Sequence, residues 1–355
     1  RAGVVISASH NPYADNGIKL FSGQGEKLPD AVEAEIERCL DQPLTVVAAT
    51  EIGKARRAVD AGGRYIEYCK RALADGLDLQ GVRIVVDAAN GAAYQVAPAV
   101  FRELGATVTA IGAAPDGFNI NLDCGSTAPA ALQHEVRRQG ADLGVALDGD
   151  ADRVVLVDAA GELVDGDEIL GILALARHEA GTLGGGVVGT QMSNFGLEQA
   201  LTGRGIAFLR AKVGDRYVME LLRAYGWLLG GETSGHVLCL DRTTTGDGLV
   251  TALQVLSVMR ARGRPLADLK RFMHKYPQRL VNVPLPPGYA PDDSPSVRRA
   301  VAAAQTQLAG RGRVVLRKSG TEPLVRVMVE GADAREVELL CQQIADAVID
   351  DTKSY

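Results

Sequence analysis

The chain has 355 residues, 46% of them hydrophobic, with a formal charge of −6, enough for two or three domains with cores of their own. The acidic balance speaks against a nucleic-acid partner, and no run reaches the roughly 18 apolar residues that a membrane span needs. Cys39, Cys69, Cys124, Cys239 and Cys341 are odd in number and lack Cys-x-x-Cys spacing, so they read as reduced thiols, and without a basic-then-apolar leader the protein is expected in the cytoplasm.

The first element is the apolar run Val4-Val5-Ile6, which delivers Ser7-Ala8-Ser9-His10-Asn11-Pro12 into a tight polar turn. A hydroxyl so placed is a candidate nucleophile. Adjacent side chains on an extended chain point to opposite faces, so a Ser9–His10 hydrogen bond is not expected. A turn whose Ser and Asn merely cap a helix stays open as the plainer reading. Next, Arg83-Ile84-Val85-Val86-Asp87, an alanine-rich helical stretch and Thr107-Val108-Thr109-Ala110-Ile111 predict a strand–helix–strand unit with parallel strands.

Asp148-Gly149-Asp150-Ala151-Asp152-Arg153 follows, between the apolar segments 143–147 and 154–157. Carboxylates about 4 Å apart repel by roughly 4 kcal/mol near a protein surface, so three at alternate positions call for a hard cation. Oxygen ligands point to Mg²⁺ or Ca²⁺ and away from zinc. A calcium hand would need Gly sixth and Glu twelfth, where this chain has Arg153 and Ala159, and Mg²⁺ fits better. A merely solvated acidic turn is the remaining alternative.

A second strand–helix–strand unit starts at Gly186-Val187-Val188-Gly189, passes through a helix near Leu197 to Leu201 and returns as Ile206-Ala207-Phe208-Leu209. It lies about a hundred residues after the first, a domain-sized spacing. Gly230-Gly231-Glu232-Thr233-Ser234-Gly235-His236 offers a carboxylate and a hydroxyl from a glycine-flanked loop, which suits sugar hydroxyls, against the alternative of a plain turn. His236 by itself reads as structural. Pro284, Pro286, Pro287, Pro291 and Pro295 crowd the stretch between Tyr276 and Ser296 and mark a linker. Beyond it a small α+β segment carries Arg317-Lys318-Ser319-Gly320-Thr321-Glu322-Pro323 and then Arg326, a credible phosphate cradle without the Walker pattern, or else a solvated charged turn.

In this order, and over essentially the entire chain, these four motifs resemble those of the α-D-phosphohexomutase superfamily. Ala211-Lys212-Val213-Gly214-Asp215-Arg216-Tyr217-Val218, Cys124-Gly125-Ser126-Thr127 and Arg242-Thr243-Thr244-Thr245-Gly246-Asp247-Gly248 most resemble its bacterial members that act on glucosamine phosphates. The resemblance implies a multi-domain α/β fold around a central cleft: three related α/β domains, the first incomplete, and a smaller C-terminal α+β domain. The expected boundaries are 1–62, 63–163, 164–275 and 280–355.

It also implies roles. Ser9 matches the serine phosphorylated in the active enzyme and, with Asp148, Asp150 and Asp152, a ligand of one Mg²⁺. His10 and Lys19 match positions beside the transferring phosphate, and Arg153 is expected to offset the acidic cluster. Lys19 is expected either to shuttle the hydroxyl proton, if neighbouring cations depress its pKa, or to stabilise charge. Glu232 and Ser234 match the sugar loop, and Lys212 and Arg216 a loop near substrate hydroxyls or phosphate. Arg317, Ser319, Gly320, Thr321 and Arg326 match the clamp for the phosphate that is not reacting.

The implied activity interconverts glucosamine 6-phosphate and glucosamine 1-phosphate through a 1,6-bisphosphate, with a hexose 1,6-bisphosphate as primer, supplying UDP-N-acetylglucosamine and cell-wall synthesis. A homodimer is what the resemblance implies. The chain opens as Arg1-Ala2-Gly3, where relatives carry a further half-domain with an active-site Arg, so it is expected to be a fragment. Ala151 stands where a second Gly is common, which implies a backbone that need not be glycine-like. Thr233 stands where Met or Asn is frequent, which bears on sugar selectivity. Three alternatives remain: a phosphomannomutase or phosphoglucomutase differing around 212–217, a metal-dependent sugar phosphatase in which water takes the phosphoryl group, and a non-catalytic sugar-phosphate binder.

Overall fold

The computed structural model describes residues 2–286, 288–319 and 323–353. The chain begins with an antiparallel hairpin, β1 (Ala2–Ser7) and β2 (Gly17–Ser22), in which Val5 faces Lys19. Helices α1 (Asp30–Leu40) and α2 (Ala61–Lys70) follow.

The next sheet holds β3 (Arg83–Asp87), then α3 (Val96–Glu103), β4 (Thr107–Ile111), α4 (Ala130–Gln139), β5 (Leu143–Leu147), β6 (Val154–Asp158) and the short β7 (Leu163–Val164). Its strand order is β4-β3-β5-β6-β7. The unit read from 83 to 111 is parallel as expected, but β5 and β6 pair antiparallel. The six residues 148–153 between them are too few for the crossover of about a dozen or more that parallel pairing requires, so the acidic motif becomes a hairpin tip. Every residue of β5 and β6 is buried, which places that tip on a rigid support.

α5 (Gly166–Glu179) opens with a capping box in which Asp165 accepts from the backbone N–H groups of Asp167 and Glu168. A four-stranded sheet follows: β8 (Val187–Thr190), α6 (Phe195–Thr202), β9 (Phe208–Ala211), α7 (Asp215–Tyr225), β10 (Leu229–Gly231) and β11 (Val237–Cys239), in the order β11-β10-β8-β9. The predicted parallel unit is present, its return strand starting at Phe208, two residues later than Ile206. α8 (Gly248–Arg262) and α9 (Leu266–Leu269) complete this part. Leu143, Leu156, Ile169, Leu173, Leu229 and Leu253 belong to one continuous apolar core, so the two middle sheets form a single packed body.

The last sheet is antiparallel, with β12 (Gln278–Pro284), then α10 (Pro295–Leu308), β13 (Gly312–Lys318) and β14 (Leu324–Gly331) in the order β12-β14-β13, and α11 (Ala334–Lys353) after it. β12 therefore occupies the start of the stretch read as a linker, with Pro284 at its final residue, where a missing N–H disturbs the ladder least. Val325, Val327 and Val329 pack with Val297, Leu340 and Ile344 in a separate core. Strand alternation then sends Arg326, Met328 and Glu330 to the opposite face. Among the described residues no helix is long and apolar enough to cross a membrane.

Candidate active site

The segment between β1 and β2 folds back on itself because Ser9 adopts the left-handed conformation, φ 49°. The Ser7 hydroxyl accepts from the Ser9 backbone N–H at 2.8 Å and donates to Asp150 Oδ2 at 2.7 Å. The Gly149 N–H donates to the Ser9 carbonyl at 3.1 Å, and the Asn121 amide donates to the carbonyls of Ser9 and Asn11, each at 2.8 Å. Five-stranded sheet and N-terminal hairpin are thus joined where the Ser9 turn meets the acidic loop. The left-handed turn also overturns the expectation for His10: its Nδ1 lies 3.4 Å from Ser9 Oγ, because the extended geometry that would separate neighbouring side chains is absent here.

In the acidic loop, one oxygen from each of Asp148, Asp150 and Asp152 lies within 4.8 Å of the others. Asp148 Oδ2 and Asp150 Oδ1 are buried without a hydrogen-bond partner. Burial first, and then the charges of Asp152 and Asp150, push the Asp148 carboxyl up to about 7. Unsatisfied, mutually repelling oxygens converging on one region fit a hard cation, and these residues can hold a metal ion. Burial works against ionising Asp152, but His236, Lys19 and Arg153 outweigh it and hold this carboxyl well below its usual range.

Lys19 reaches in from β2, its Nζ 2.5 Å from Asp150 Oδ2 and 3.6 Å from Asp152 Oδ2. Burial disfavours the charge, yet the hydrogen bond and charges of Asp150 and Asp152 raise its pKa. The premise of a Lys19 depressed by cations is therefore not met, since its neighbours are carboxylates, and the geometry suits a charge stabiliser. Arg153 Nε stands 3.9 Å from both Asp148 Oδ2 and Asp152 Oδ1. Burial and the charge of Arg153 lower the His10 pKa. Ala151 has φ 61°, so the expectation drawn from its side chain is reversed: the tight loop, closed by Ala151 N–H to the Asp148 carbonyl at 3.0 Å, does need a left-handed residue.

The segment Glu232–His236 links β10 to β11. It is closed by Glu232 N–H to the His236 carbonyl and Gly235 N–H to the Glu232 carbonyl, both at 3.0 Å. The Gly235 carbonyl accepts from Val154 N–H at 3.1 Å, which pins this loop to the strand leaving the acidic tip. Gly235 has φ 92° and a Cβ there would collide with the Val154 carbonyl, so glycine is required. Glu232 Oε1 accepts from Gly214 N–H at 2.8 Å, tying in the loop that carries Lys212, whose Nζ lies 5.7 Å from the Tyr217 ring centroid. Arg216 turns toward α1, pairing with Asp30 and with Glu33 at 3.1 Å. Ser234 sits in the same loop as Glu232.

His236 does more than fill space. It is buried, with Nδ1 3.5 Å from Asp152 Oδ1 and Nε2 3.4 Å from Asp215 Oδ2. Burial opposes its protonation, but the carboxylates of Asp152, Asp215 and Glu232 outweigh that and raise its pKa. His236, Asp215, Ser7 and Asn121 are site residues that the sequence reading missed. Ser7 had a local signal, its place two residues before Ser9; Asn121 had none.

Arg317 and Arg326 stand directly opposite each other on β13 and β14, on the separate C-terminal sheet, with Asn282 of β12 next in the row. Like charges in such register are destabilising unless an anion lies between them. Burial and the charge of Arg326 lower the Arg317 pKa. The Ser319 N–H donates to the Leu324 carbonyl at 2.8 Å, and the predicted clamp residues Gly320 and Thr321 lie outside the described residues.

Family models described as phosphoglucomutase/phosphomannomutase domains match four successive stretches: domain I at 1–45, domain II at 63–161, domain III at 165–276 and the C-terminal domain at 280–347. The chain is 61% identical over 350 residues to the phosphoglucosamine mutase of Thioalkalivibrio sulfidiphilus, spanning 98% of this chain and 78% of that protein. It is 59% identical over 347 residues to the phosphoglucosamine mutase of Alkalilimnicola ehrlichii, spanning 98% and 77%. Among solved structures, N-acetylphosphoglucosamine mutase from Aspergillus fumigatus, in complex with GlcNAc-6P and magnesium, superposes with a TM-score of 0.76 at 20% identity, over 99% of this chain and 89% of that one. The identity is too low to carry more than the fold. With all four domain models matched in order and relatives this similar over nearly its whole length, the chain belongs to the phosphoglucosamine mutase family of the α-D-phosphohexomutase superfamily.

Proposed function

We propose that the chain interconverts glucosamine 6-phosphate and glucosamine 1-phosphate through a phosphorylated Ser9 and a glucosamine 1,6-bisphosphate. The observation that carries this reading is the docking of the Ser9 turn on the acidic tip, through Ser7 to Asp150 and Gly149 to the Ser9 carbonyl. A nucleophile held at a tripod of carboxylates is the arrangement phosphoryl transfer needs, and the named relatives support the amino-sugar substrate. Asp148, Asp150, Asp152 and phosphorylated Ser9 would hold Mg²⁺, which when bound neutralises phosphoryl charge and makes phosphorus more electrophilic.

This chain's own residues then do the positioning. Glu232 and Ser234 orient the sugar hydroxyls, Lys212 and Arg216 lie on the adjoining loop, and Arg317, Ser319, Gly320, Thr321 and Arg326 grip the phosphate that does not react. The bond from Ser9 Oγ to phosphorus breaks as the 1-hydroxyl oxygen forms its own and the proton of that hydroxyl ends on Ser9 Oγ, beside which His10 stands, while Lys19 and Arg153 balance the charge. The bisphosphate turns over in the cleft, and Ser9 Oγ takes the 6-phosphoryl group, which leaves the 1-phosphate and regenerates the phosphoenzyme. A hexose 1,6-bisphosphate primes the cycle. The expected setting is the cytoplasm, the assembly a homodimer, and the product a precursor for UDP-N-acetylglucosamine and the cell wall.

The test is Mg²⁺-dependent turnover of glucosamine 6-phosphate with a trace of hexose 1,6-bisphosphate, with mannose 1-phosphate and phosphate release followed in parallel. Isomerisation of the amino sugar well ahead of mannose supports the reading. Release of inorganic phosphate without isomerisation would replace it with a phosphatase.

A further inference from the structure

Half-buried Arg313 and buried Glu330 form an ion pair at the seam between the C-terminal sheet and the body that carries the sugar loop. They face each other in the β13–β14 register, and Arg313 Nε donates to Glu330 Oε2 at 2.8 Å. The rest of the guanidinium crosses the seam: Nη1 donates to the Gln191 carbonyl at 2.7 Å and Nη2 to the Ser193 carbonyl at 2.6 Å. Glu330, wholly buried, crosses as well, its Oε1 accepting from Phe195 N–H at 2.7 Å at the start of α6. Arg210 supports the same Ser193 carbonyl from the other side at 2.7 Å.

The segment they grip leads directly to the sugar loop. Asp167 Oδ2 accepts from Asn194 N–H at 2.8 Å and from the Thr233 hydroxyl at 2.9 Å, so one oxygen joins the gripped segment to the loop of Glu232 and Ser234. The connecting chain is fastened at the same spot, since Asn194 exchanges hydrogen bonds with the backbone of Tyr276 at 3.0 and 3.1 Å.

In the other direction, alternation puts Arg313 on the same face of β13 as Arg317, and Glu330 on the same face of β14 as Arg326. Four residues of strand, about 13 Å, separate the two rows. We propose that Arg313 and Glu330 are positioning residues that set where the Arg317/Arg326 phosphate clamp stands relative to the sugar loop. This rests on the mutase reading above, because only then must one ligand reach both. An arginine is needed because its planar fork meets three acceptors at once, which a lysine ammonium cannot span.

Steady-state kinetics on the full chain test this, with Arg313→Lys, Glu330→Gln, Arg317→Ala and the double variant Arg313→Lys/Arg317→Ala, each checked by thermal melting. Arg313→Lys is expected to raise the KM for glucosamine 6-phosphate about tenfold with kcat little changed, the pattern of lost uniform binding. The double variant is expected to have the KM of Arg317→Ala alone, since a misplaced clamp and a missing clamp lose the same contact. Glu330→Gln keeps the shape and repeats the test should Arg313→Lys melt too early. Additive losses in the double variant, or a fall in kcat at unaltered KM, overturn the assignment while leaving the mutase reading intact. No isomerisation by the unsubstituted protein would remove both.

Discussion

Lys19 and Ser7 meet on a single oxygen: Oδ2 of Asp150 lies 2.5 Å from the ammonium and 2.7 Å from the hydroxyl. The ammonium therefore holds an acidic cluster together from β2, the strand that follows the Ser9 turn. Lys19→Met is expected to lower turnover on the order of a hundredfold, as removal of one transition-state donor does. It should also tighten Mg²⁺ binding, since a competing cation is gone. A Mg²⁺ titration of activity checks both, and a variant with full turnover would exclude Lys19 from the chemistry.

Ser9→Ala should bind glucosamine 6-phosphate and turn over negligibly, because the turn's backbone contacts to Gly149 and Asn121 do not involve its hydroxyl. Calorimetric binding alongside a turnover assay separates the two. Substantial isomerisation by this variant would sink the phosphoserine assignment.

Two substitutions in the acidic tip should move stability in opposite directions. A Cβ on Gly149 would stand 2.5 Å from the Ser9 carbonyl and 2.7 Å from Ile120 Cδ1, so Gly149→Ala is expected to lose about 1–3 kcal/mol and to displace the Ser9 turn. Ala151 at φ 61° carries left-handed strain, and Ala151→Gly should gain about 0.5–1 kcal/mol after the extra freedom of the unfolded chain is subtracted. Urea unfolding of both variants decides; a destabilised Ala151→Gly would mean that the methyl group's packing outweighs the strain.

Asp167 gives a pH dependence. Burial first, and the charge of Asp165 next, push its carboxyl up to about 6, above the ordinary range. The native state thus holds this proton more tightly than the unfolded chain, so its contribution is full below about pH 4 and is lost progressively as pH rises through about 6. Two pH units correspond to on the order of 3 kcal/mol. Asp167→Asn should flatten that decline, measured as the difference in unfolding free energy between the two proteins from pH 4 to pH 7. A pH-independent difference would contradict it.

The sequence showed the carboxylate tripod plainly because all three aspartates sit in one short loop between apolar strands, where local chemistry is the whole signal. It was silent on Asn121, which reaches the Ser9 turn only through tertiary packing. His236 looked structural by itself, since its partners Asp152 and Asp215 come from other elements. The pairing direction of β5 and β6 was not readable from residue types, because the length of the loop between them decides it. Ala151 misled for a different reason: a methyl group at a position suggests what is tolerated, and the dihedral shows what is endured.

The bond from Val154 N–H to the Gly235 carbonyl splices the Glu232–His236 loop onto the strand that leaves the acidic tip. Anyone wishing to redirect this protein to another hexose inherits that splice. Lengthening the loop or giving Gly235 a side chain would tilt the carboxylate tripod along with Glu232 and Ser234, and Thr233 is tied to Asp167, so on the proposed function a new selectivity is best sought in the Ser234 side chain, with the backbone left as it is.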